Sequence, residues 1–331
     1  MKKDLIAVVE AAYRVEKNQE DWLSGVYEAA LPLLDMGLGG SAFLYDATDV
    51  NNLKIGTSII GSGGNERVVA AVQKTTPDAV EWVFRNQACR TASESPRWKE
   101  QPAATAFAAL GFEDVLFVNG VDPSAKGPLL TARMKKSRAL SRKTIETWSF
   151  IAAHLAAGFR LREHIAPLAA AGSFTEHAEA IVTPNGKIEH LADALKEDSS
   201  ETTKAIAVLR NAAVSVDRAR GKLRRTAPAE ALGGWTALAG ARWTMLDHFD
   251  HDGRHYLLAC ANDPKIPRPE LLSLRERQCL AYAALGHKNK LIAYELGITP
   301  STVGVLLLRA AKKLSAVSRG DAIAIYRRTC G

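Results

Sequence analysis

Histidine and aspartate are concentrated between residues 247 and 255. Three of each lie within these nine residues: Asp247, His248, Asp250, His251, Asp252 and His255. Imidazole nitrogens and carboxylate oxygens are common ligands of Zn²⁺ and related ions. Asp252-Gly253, however, favours the tip of a hairpin, and alternate side chains of the flanking strands point to opposite faces. Only a subset could meet, so we predict no metal site; a metal-dependent enzyme using His248 and His255 is the alternative.

Catalytic patterns are weak in the rest of the chain. Gly61-Ser62-Gly63-Gly64 precedes a predicted helix, as some anion-binding loops do, but a plain turn is the simpler interpretation. His154 and His164 lie ten residues apart on a predicted long helix and are interpreted as a partly buried and a surface histidine. The four cysteines are scattered singly, which predicts reduced thiols rather than disulfides. We therefore predict no enzymatic activity and no cofactor.

Polar and basic side chains near the C-terminus are of types that contact DNA. Ammonium, guanidinium, amide and hydroxyl groups bind phosphates or base edges, and apolar groups can touch a thymine methyl. The predicted DNA-contacting residues are Lys288, Asn289, Lys290, Thr299, Ser301, Thr302, Val305, Arg309 and Lys312. Residues 265–331 carry 12 Lys and Arg against 4 Asp and Glu, whereas the whole chain has a net charge of only +7. The positive charge of the chain is therefore concentrated in this segment, as expected for a surface that binds DNA. The alternative is that these basic residues only form a solvated surface.

Three helices are predicted to position these side chains. Ser273 and Glu276 form a capping box that begins the first helix, and Gly286 ends it. A second helix covers residues 289–296 and ends at Gly297. Thr299 caps a third helix with Pro300 in its first turn, and Val303, Leu307, Ala310 and Leu314 give it one buried stripe. Two helices joined by a glycine-containing turn describe a helix-turn-helix, whose second helix can enter the major groove.

This stretch resembles the LuxR (GerE) type of DNA-binding domain. The matching residues occur in order and without gaps: 272–276, 286, 289–290, 292–293, 296–298, 301–303, 313–314 and 318–319. The resemblance implies a four-helix unit that binds double-stranded DNA as a dimer, with a fourth helix at about 321–328 contributing to pairing. The family usually has Lys and His where this chain has Gly304 and Leu306. Its outward face, with Gly304, Val305 and Leu308, is therefore poor in groups that read bases directly.

The region before this stretch is predicted to contain two further α/β domains. Residues 1–166 show helices, a hairpin, helices, strands and a long final helix, an order that resembles a GAF-like sensor domain. Residues 174–262 contain an Asn185-Gly186 hairpin, a helix and a second hairpin, and resemble a PAS-like module. Residues 263–270 form a proline-rich linker, and residues 271–331 the LuxR-type domain. The predicted fold class is accordingly multidomain α+β with a C-terminal all-α helix-turn-helix domain.

Aromatic residues in the first domain bear on signal recognition. Several of eight residues could line a pocket, while most of them are expected to be core: Trp22, Tyr45, Trp82, Phe84, Trp98, Phe107, Phe112 and Phe117. The chain lacks the Trp/Tyr/Asp/Trp spacing of autoinducer-binding LuxR proteins, so an acyl-homoserine lactone is not the predicted ligand. The signal, a small molecule or a protein, is left open.

Composition places the chain among globular proteins. It has 331 residues, of which 47% are hydrophobic and 24% charged, which excludes a disordered chain. No stretch approaches 18 apolar residues, and the N-terminus lacks a signal-peptide pattern, so we expect a cytoplasmic protein. The sequence predicts a dimeric transcription regulator controlled by its upstream domains, with RNA polymerase as a candidate partner. The alternative is an interaction protein that has lost DNA readout and docks a partner through Val305, Leu306 and Leu308.

Overall fold

The protein folds into two antiparallel sheets with covering helices, followed by a C-terminal group of four helices. The computed structural model describes residues 4–61, 66–169, 174–196, 199–264 and 271–330. Most of the predicted linker, residues 265–270, lies outside the described residues, as do residues 62–64 of the glycine-rich turn.

The helices vary from single turns to one of 28 residues. They are α1 (Leu5–Ala12), α2 (Gln19–Leu34), α3 (Glu66–Gln73), α4 (Pro77–Val80), α5 (Pro102–Ala109), α6 (Arg142–Ala169), α7 (Ser200–Arg220), α8 (Leu223–Thr226), α9 (Pro228–Gly234), α10 (Leu274–Ala284), α11 (Asn289–Leu296), α12 (Pro300–Lys313) and α13 (Arg319–Cys330). In the described part of the chain no single helix has the length and apolar composition to cross a membrane. Helices α11 and α12 have this length and composition only when they are taken together, and they are bent by 103° relative to each other.

All strand pairs among the described residues are antiparallel. The strands are β1 (Gly40–Asp46), β2 (Lys54–Ile60), β3 (Cys89–Thr91), β4 (Asp114–Asn119), β5 (Lys126–Met134), β6 (Ala178–Val182), β7 (Ile188–Leu191), β8 (Trp243–Phe249) and β9 (His255–Ala261). The first sheet has the order β2-β1-β5-β4-β3 and the second β7-β6-β9-β8. In each sheet, therefore, the first strand in sequence pairs with the last: β1 with β5, and β6 with β9.

Local sequence patterns predicted both hairpins of residues 174–262 correctly. The predicted hairpin at Asn185-Gly186 is confirmed: Gly186 has a φ of +86°, and its N–H donates to Thr183 O across 2.8 Å. Two elements of the first sheet region were not predicted, the short strand β3 and the helix α5. The helix predicted within residues 174–262 runs from Ser200 to Arg220, because Ser199 caps it and Gly221 follows its last residue.

The two sheets share one hydrophobic core. Ile6 of α1, Leu130 of β5, Leu155 of α6, Trp235 and Leu258 of β9 all belong to the same cluster of buried residues. The N-terminal helix α1 contacts both α6 and α9, so it joins the first sheet region to the second. The boundary proposed between residues 166 and 174 consequently separates two parts with a common interior.

Candidate nucleic-acid interface

Helix α10 begins with the predicted capping box. The Glu276 N–H donates to Ser273 Oγ at 3.3 Å, and the Ser273 N–H donates to Glu276 Oε2 at 2.8 Å. Lys313 of α12 donates to the same carboxylate oxygen at 2.7 Å, and these contacts lower the pKa of Glu276 despite the opposing effect of its burial. The cap therefore also joins the first helix of the unit to the third.

Helices α11 and α12 meet at the predicted tight turn. Gly297 ends α11 with a φ of +61°, and a Cβ atom there would collide with the backbone oxygen of Leu238. Thr299 caps α12 by accepting a hydrogen bond from the Thr302 N–H at 3.1 Å, with Pro300 following in the first turn. Glycine is thus needed at 297 both for its backbone conformation and for contact with the upstream region.

One face of α12 is buried and the other open. Val303, Leu307 and Ala310 are buried as predicted, and Leu314 is partly buried against the same cluster. The exposed face combines hydroxyl, apolar and basic side chains: Ser301, Thr302, Val305, Leu308, Arg309 and Lys312. Val305 is 48% and Leu308 73% exposed. These residues recur at helical spacing, so all predicted contacts on α12 belong to one surface.

The predicted DNA-contacting residues at the start of α11 differ in whether they already have partners within the protein. Lys288 is exposed. Asn289 accepts a hydrogen bond from Arg319 Nη1 at 2.6 Å, and Arg319 also donates to the His287 carbonyl at 3.1 Å. Lys290 forms an ion pair with Glu146 of α6. Arg319, which sequence reasoning matched to the family without giving it a role, fixes the loop that presents Lys288.

One expectation about α12 needs correction. Leu306 does not share a face with Val305 and Leu308; it is partly buried against the unit's own core. Positions 306 and 308 are two residues apart on a helix, which places them on opposite sides. A docking face made of all three residues therefore does not exist. The nearest atom to a Cβ placed on Gly304 is Asn289 Nδ2 at 3.8 Å, so close packing against another helix of the described chain does not explain this glycine.

The C-terminal unit is docked on the upstream region through buried polar groups. His154 of α6 lies with Nε2 2.7 Å from the Tyr294 hydroxyl, while its Nδ1 lies 2.6 Å from the Tyr13 hydroxyl. Tyr294 donates toward the carbonyls of Leu232 and Trp235, at 2.6 and 2.7 Å. His154, predicted to be partly buried, is fully buried, and burial lowers its pKa to about 3. A neutral histidine thus connects α1, α6 and α11.

A second set of contacts crosses the same interface. Arg160 Nη1 pairs with Asp122 Oδ1 at 2.5 Å, with both side chains almost fully buried, and lies 3.5 Å from the Tyr282 hydroxyl of α10. Gln278 Nε2 donates to the Ala241 carbonyl at 3.0 Å, and the Leu238 N–H donates to the Glu295 carbonyl at 3.1 Å. The docked arrangement therefore satisfies polar groups that would otherwise be costly to bury.

An apolar cavity of about 90 Å³ lies in the first sheet region. Five of the eight candidate aromatic residues line it: Phe84, Trp98, Phe107, Phe112 and Phe117. Trp22 instead belongs to the shared core, and Tyr45 donates to Asn119 Oδ1 at 2.6 Å. Trp82 packs edge-on against Phe117. The cavity's few polar lining groups include Gln101 and Arg133.

The histidine-rich hairpin has local partners. Asp247 accepts from His255 Nε2 at 2.7 Å and pairs with Arg220. Asp250 Oδ1 accepts the N–H groups of Asp252 and Arg254 at the hairpin tip. Among the described residues, no three histidine, cysteine or acidic side chains are grouped to hold a metal ion. Three cysteines, Cys89, Cys260 and Cys279, are free and buried, and burial raises the pKa of each thiol to about 12.

The four C-terminal helices, with a tight turn between α11 and a solvent-facing α12, define a helix-turn-helix DNA-binding unit. Residues 270–326 match the family model described as "Bacterial regulatory proteins, luxR family" (GerE). The match identifies this segment as a LuxR-family domain of the kind found in DNA-binding transcription regulators. A comparison with curated proteins found no match to the chain.

Proposed function

We propose that this chain is a cytoplasmic transcription regulator that binds double-stranded DNA as a homodimer through residues 271–331. The observation that carries the proposal is the open face of α12, where Ser301, Thr302, Arg309 and Lys312 are exposed on a scaffold that matches the luxR family. Basic groups on this face would neutralise phosphates and release counterions. Lys288 would contact phosphates beside the groove, and Val305 and Leu308 would meet apolar base edges such as thymine methyls.

Control by the upstream region is the second part of the proposal. The aromatic cavity supports a sensor role for the GAF-like unit, because a concave, mainly apolar pocket with a few polar groups is typical of small-molecule sites. Its lining suits a small, mainly apolar ligand. The PAS-like unit would relay or add to this control, since it shares a core with the first unit.

Helix α6 is the proposed route between the cavity region and the DNA-binding unit. It contacts strands β3, β4 and β5 and also α11. A signal that shifts α6 would change how the helix-turn-helix unit docks, and hence whether two copies can reach half-sites together. Contact with RNA polymerase would follow DNA binding at a promoter.

Selection from a random pool of double-stranded DNA, with the full-length protein, tests the main proposal. We expect enrichment of an inverted repeat whose half-site centres are about 10 bp apart or a multiple of that distance. Enrichment of single half-sites alone would contradict binding as a dimer. Equal, unselective recovery by the wild type and by a Lys288→Ala/Lys312→Ala variant would contradict sequence-specific binding.

A further inference from the structure

The loop between β5 and the start of α6 carries a concentrated positive charge. Residues 135–143, here called the basic segment, contain five basic residues and no acidic one: Lys135, Lys136, Arg138, Arg142 and Lys143. The 264 residues before the C-terminal segment have almost no net charge, so this concentration is not part of a generally basic region. A local charge of this size creates a positive potential that attracts anionic partners.

The five side chains have no compensation within the described chain. All five are exposed. None forms an ion pair with a carboxylate of the residues that the structure describes; Arg138 contacts only Met36 Sδ, at 3.2 Å. Elsewhere the protein pairs its cations readily, as Arg224 does with Asp4 and Glu10. The basic segment is therefore an open, uncompensated cationic surface.

This surface lies beside the DNA-binding unit. Arg142 lines a cleft of about 200 Å³ together with Lys288 and Lys290. Glu146, one helical turn after Arg142, is already neutralised by its ion pair with Lys290. Positive charge thus runs from the start of α11 across the cleft to the first turn of α6.

The start of α11 also adjoins the recognition helix. Asn289 is the nearest neighbour of Gly304, in the first half of α12. A helix in the major groove is flanked by phosphate backbones, because the groove is only about 12 Å wide. Residues beside α12 would therefore lie near a phosphate backbone, and Arg142 of the basic segment lines the same cleft as Lys288.

We propose that the basic segment is a second contact surface for the DNA backbone, extending the interface from the helix-turn-helix unit onto the upstream region. This inference rests on the proposed DNA binding. The contact is to phosphates and carries no sequence information, so it adds affinity and salt dependence to whatever sequence α12 reads. It also makes affinity depend on the docked position of α6 relative to α11.

The test compares matched triple variants of the full-length protein. Lys136→Ala/Arg142→Ala/Lys143→Ala removes three charges from the segment. Lys204→Ala/Lys222→Ala/Arg225→Ala removes the same residue types from exposed positions of α7, α8 and the turn between them. With a duplex that extends beyond the half-site, the segment variant should flatten the slope of log K against log salt by up to about 2.7. The control variant should retain the wild-type slope.

Duplex length separates this contact from the one made by α12. On a duplex of about 10 bp, covering one half-site, the segment variant and the wild type should bind alike. On longer duplexes the wild type should gain affinity and the segment variant should not. Equal slopes for the segment variant and the wild type on long duplexes would overturn the inference.

Two other results have distinct meanings. If the wild type shows no salt-dependent DNA binding at all, the proposed function fails together with the inference. If DNA binding is normal in the segment variant but its binding to vesicles rich in phosphatidylserine is lost, the surface serves a membrane, and the inference is wrong while the proposed function stands.

Discussion

The Tyr294 hydroxyl lies 2.7 Å from His154 Nε2, although the two residues are 140 positions apart in the chain. Tyr294 is also close to two carbonyl oxygens, which favours donation of its own proton to one of them. His154 then donates from Nε2 to Tyr294 and accepts from Tyr13 at Nδ1. This chain of hydrogen bonds requires a neutral imidazole with its proton on Nε2, and it ties the DNA-binding unit to the upstream core.

Replacing Tyr294 by Phe should destabilise the protein by about 1–3 kcal/mol, because the His154 N–H and a buried carbonyl lose their partner. Urea unfolding of the full-length protein would measure the change. Tyr256→Phe is the matched control, since Tyr256 is only half-buried, and it should cost little. Equal stability of Tyr294→Phe and the wild type would show that the hydroxyl makes no net contribution.

Stability should fall on acidification in a way that depends on His154. Burial lowers the pKa of His154 to about 3 from its ordinary 6.5. Between these two pH values, His154 is therefore protonated in the unfolded chain but neutral in the folded protein. The stabilisation is complete above pH 6.5 and is lost progressively between pH 6.5 and 3, by up to about 1.4 kcal/mol per pH unit. Unfolding free energies measured across this range should decline less steeply in His154→Gln. His251→Gln, at an exposed position, should decline as the wild type does.

Lys288 and Lys290 should differ in their contribution to DNA affinity. Lys288→Ala should flatten the salt slope by about 0.9, as expected for one lost phosphate contact. Lys290→Ala should have less effect, because the charge of Lys290 is balanced by Glu146. Conversely, Glu146→Gln should strengthen binding by releasing Lys290. Fluorescence anisotropy at several salt concentrations measures all three, and identical losses for the two lysine variants would contradict the role given to Glu146.

Gly304 offers a test of how closely α12 approaches DNA. Gly304→Ala should stabilise the protein by about 1 kcal/mol, because alanine is the better helix former and the site has room for a methyl group. Gly25→Ala in α2 should do the same, since Gly25 also lies within a helix beside open space. If the backbone at 304 contacts DNA, only Gly304→Ala will weaken binding. Unchanged affinity in both variants would leave the glycine without a role at the interface.

Features decided within a few residues could be predicted from the sequence. The Ser273/Glu276 capping box, the Asn185-Gly186 turn and the positive φ of Gly297 each depend on local backbone chemistry. The buried stripe of α12 follows from helical periodicity in the same way. For these reasons the DNA-binding unit and the two hairpins of residues 174–262 were predicted correctly.

Features that depend on distant parts of the chain could not be predicted. The strand β3 has three residues, too few for a periodic pattern, and it exists because Cys89 and Thr91 pair with β4. The partners of His154 come from α1 and α11, and no spacing reveals them. The orientation of Leu306 could have been recognised, since a helical projection separates it from Leu308. The basic segment was also visible in the sequence but was concealed by summing charge over the whole upstream region.

The position of α1 has a consequence for how the protein folds during synthesis. Glu10 of α1 pairs with Arg224, which lies 214 residues later in the chain. Helix α1 therefore leaves the ribosome 214 residues before this partner, and closing so long a loop slows folding. Until α9 has been made, the apolar face of α1 lacks part of its cover. The upstream region should thus complete its fold late in translation, when the DNA-binding unit is about to follow.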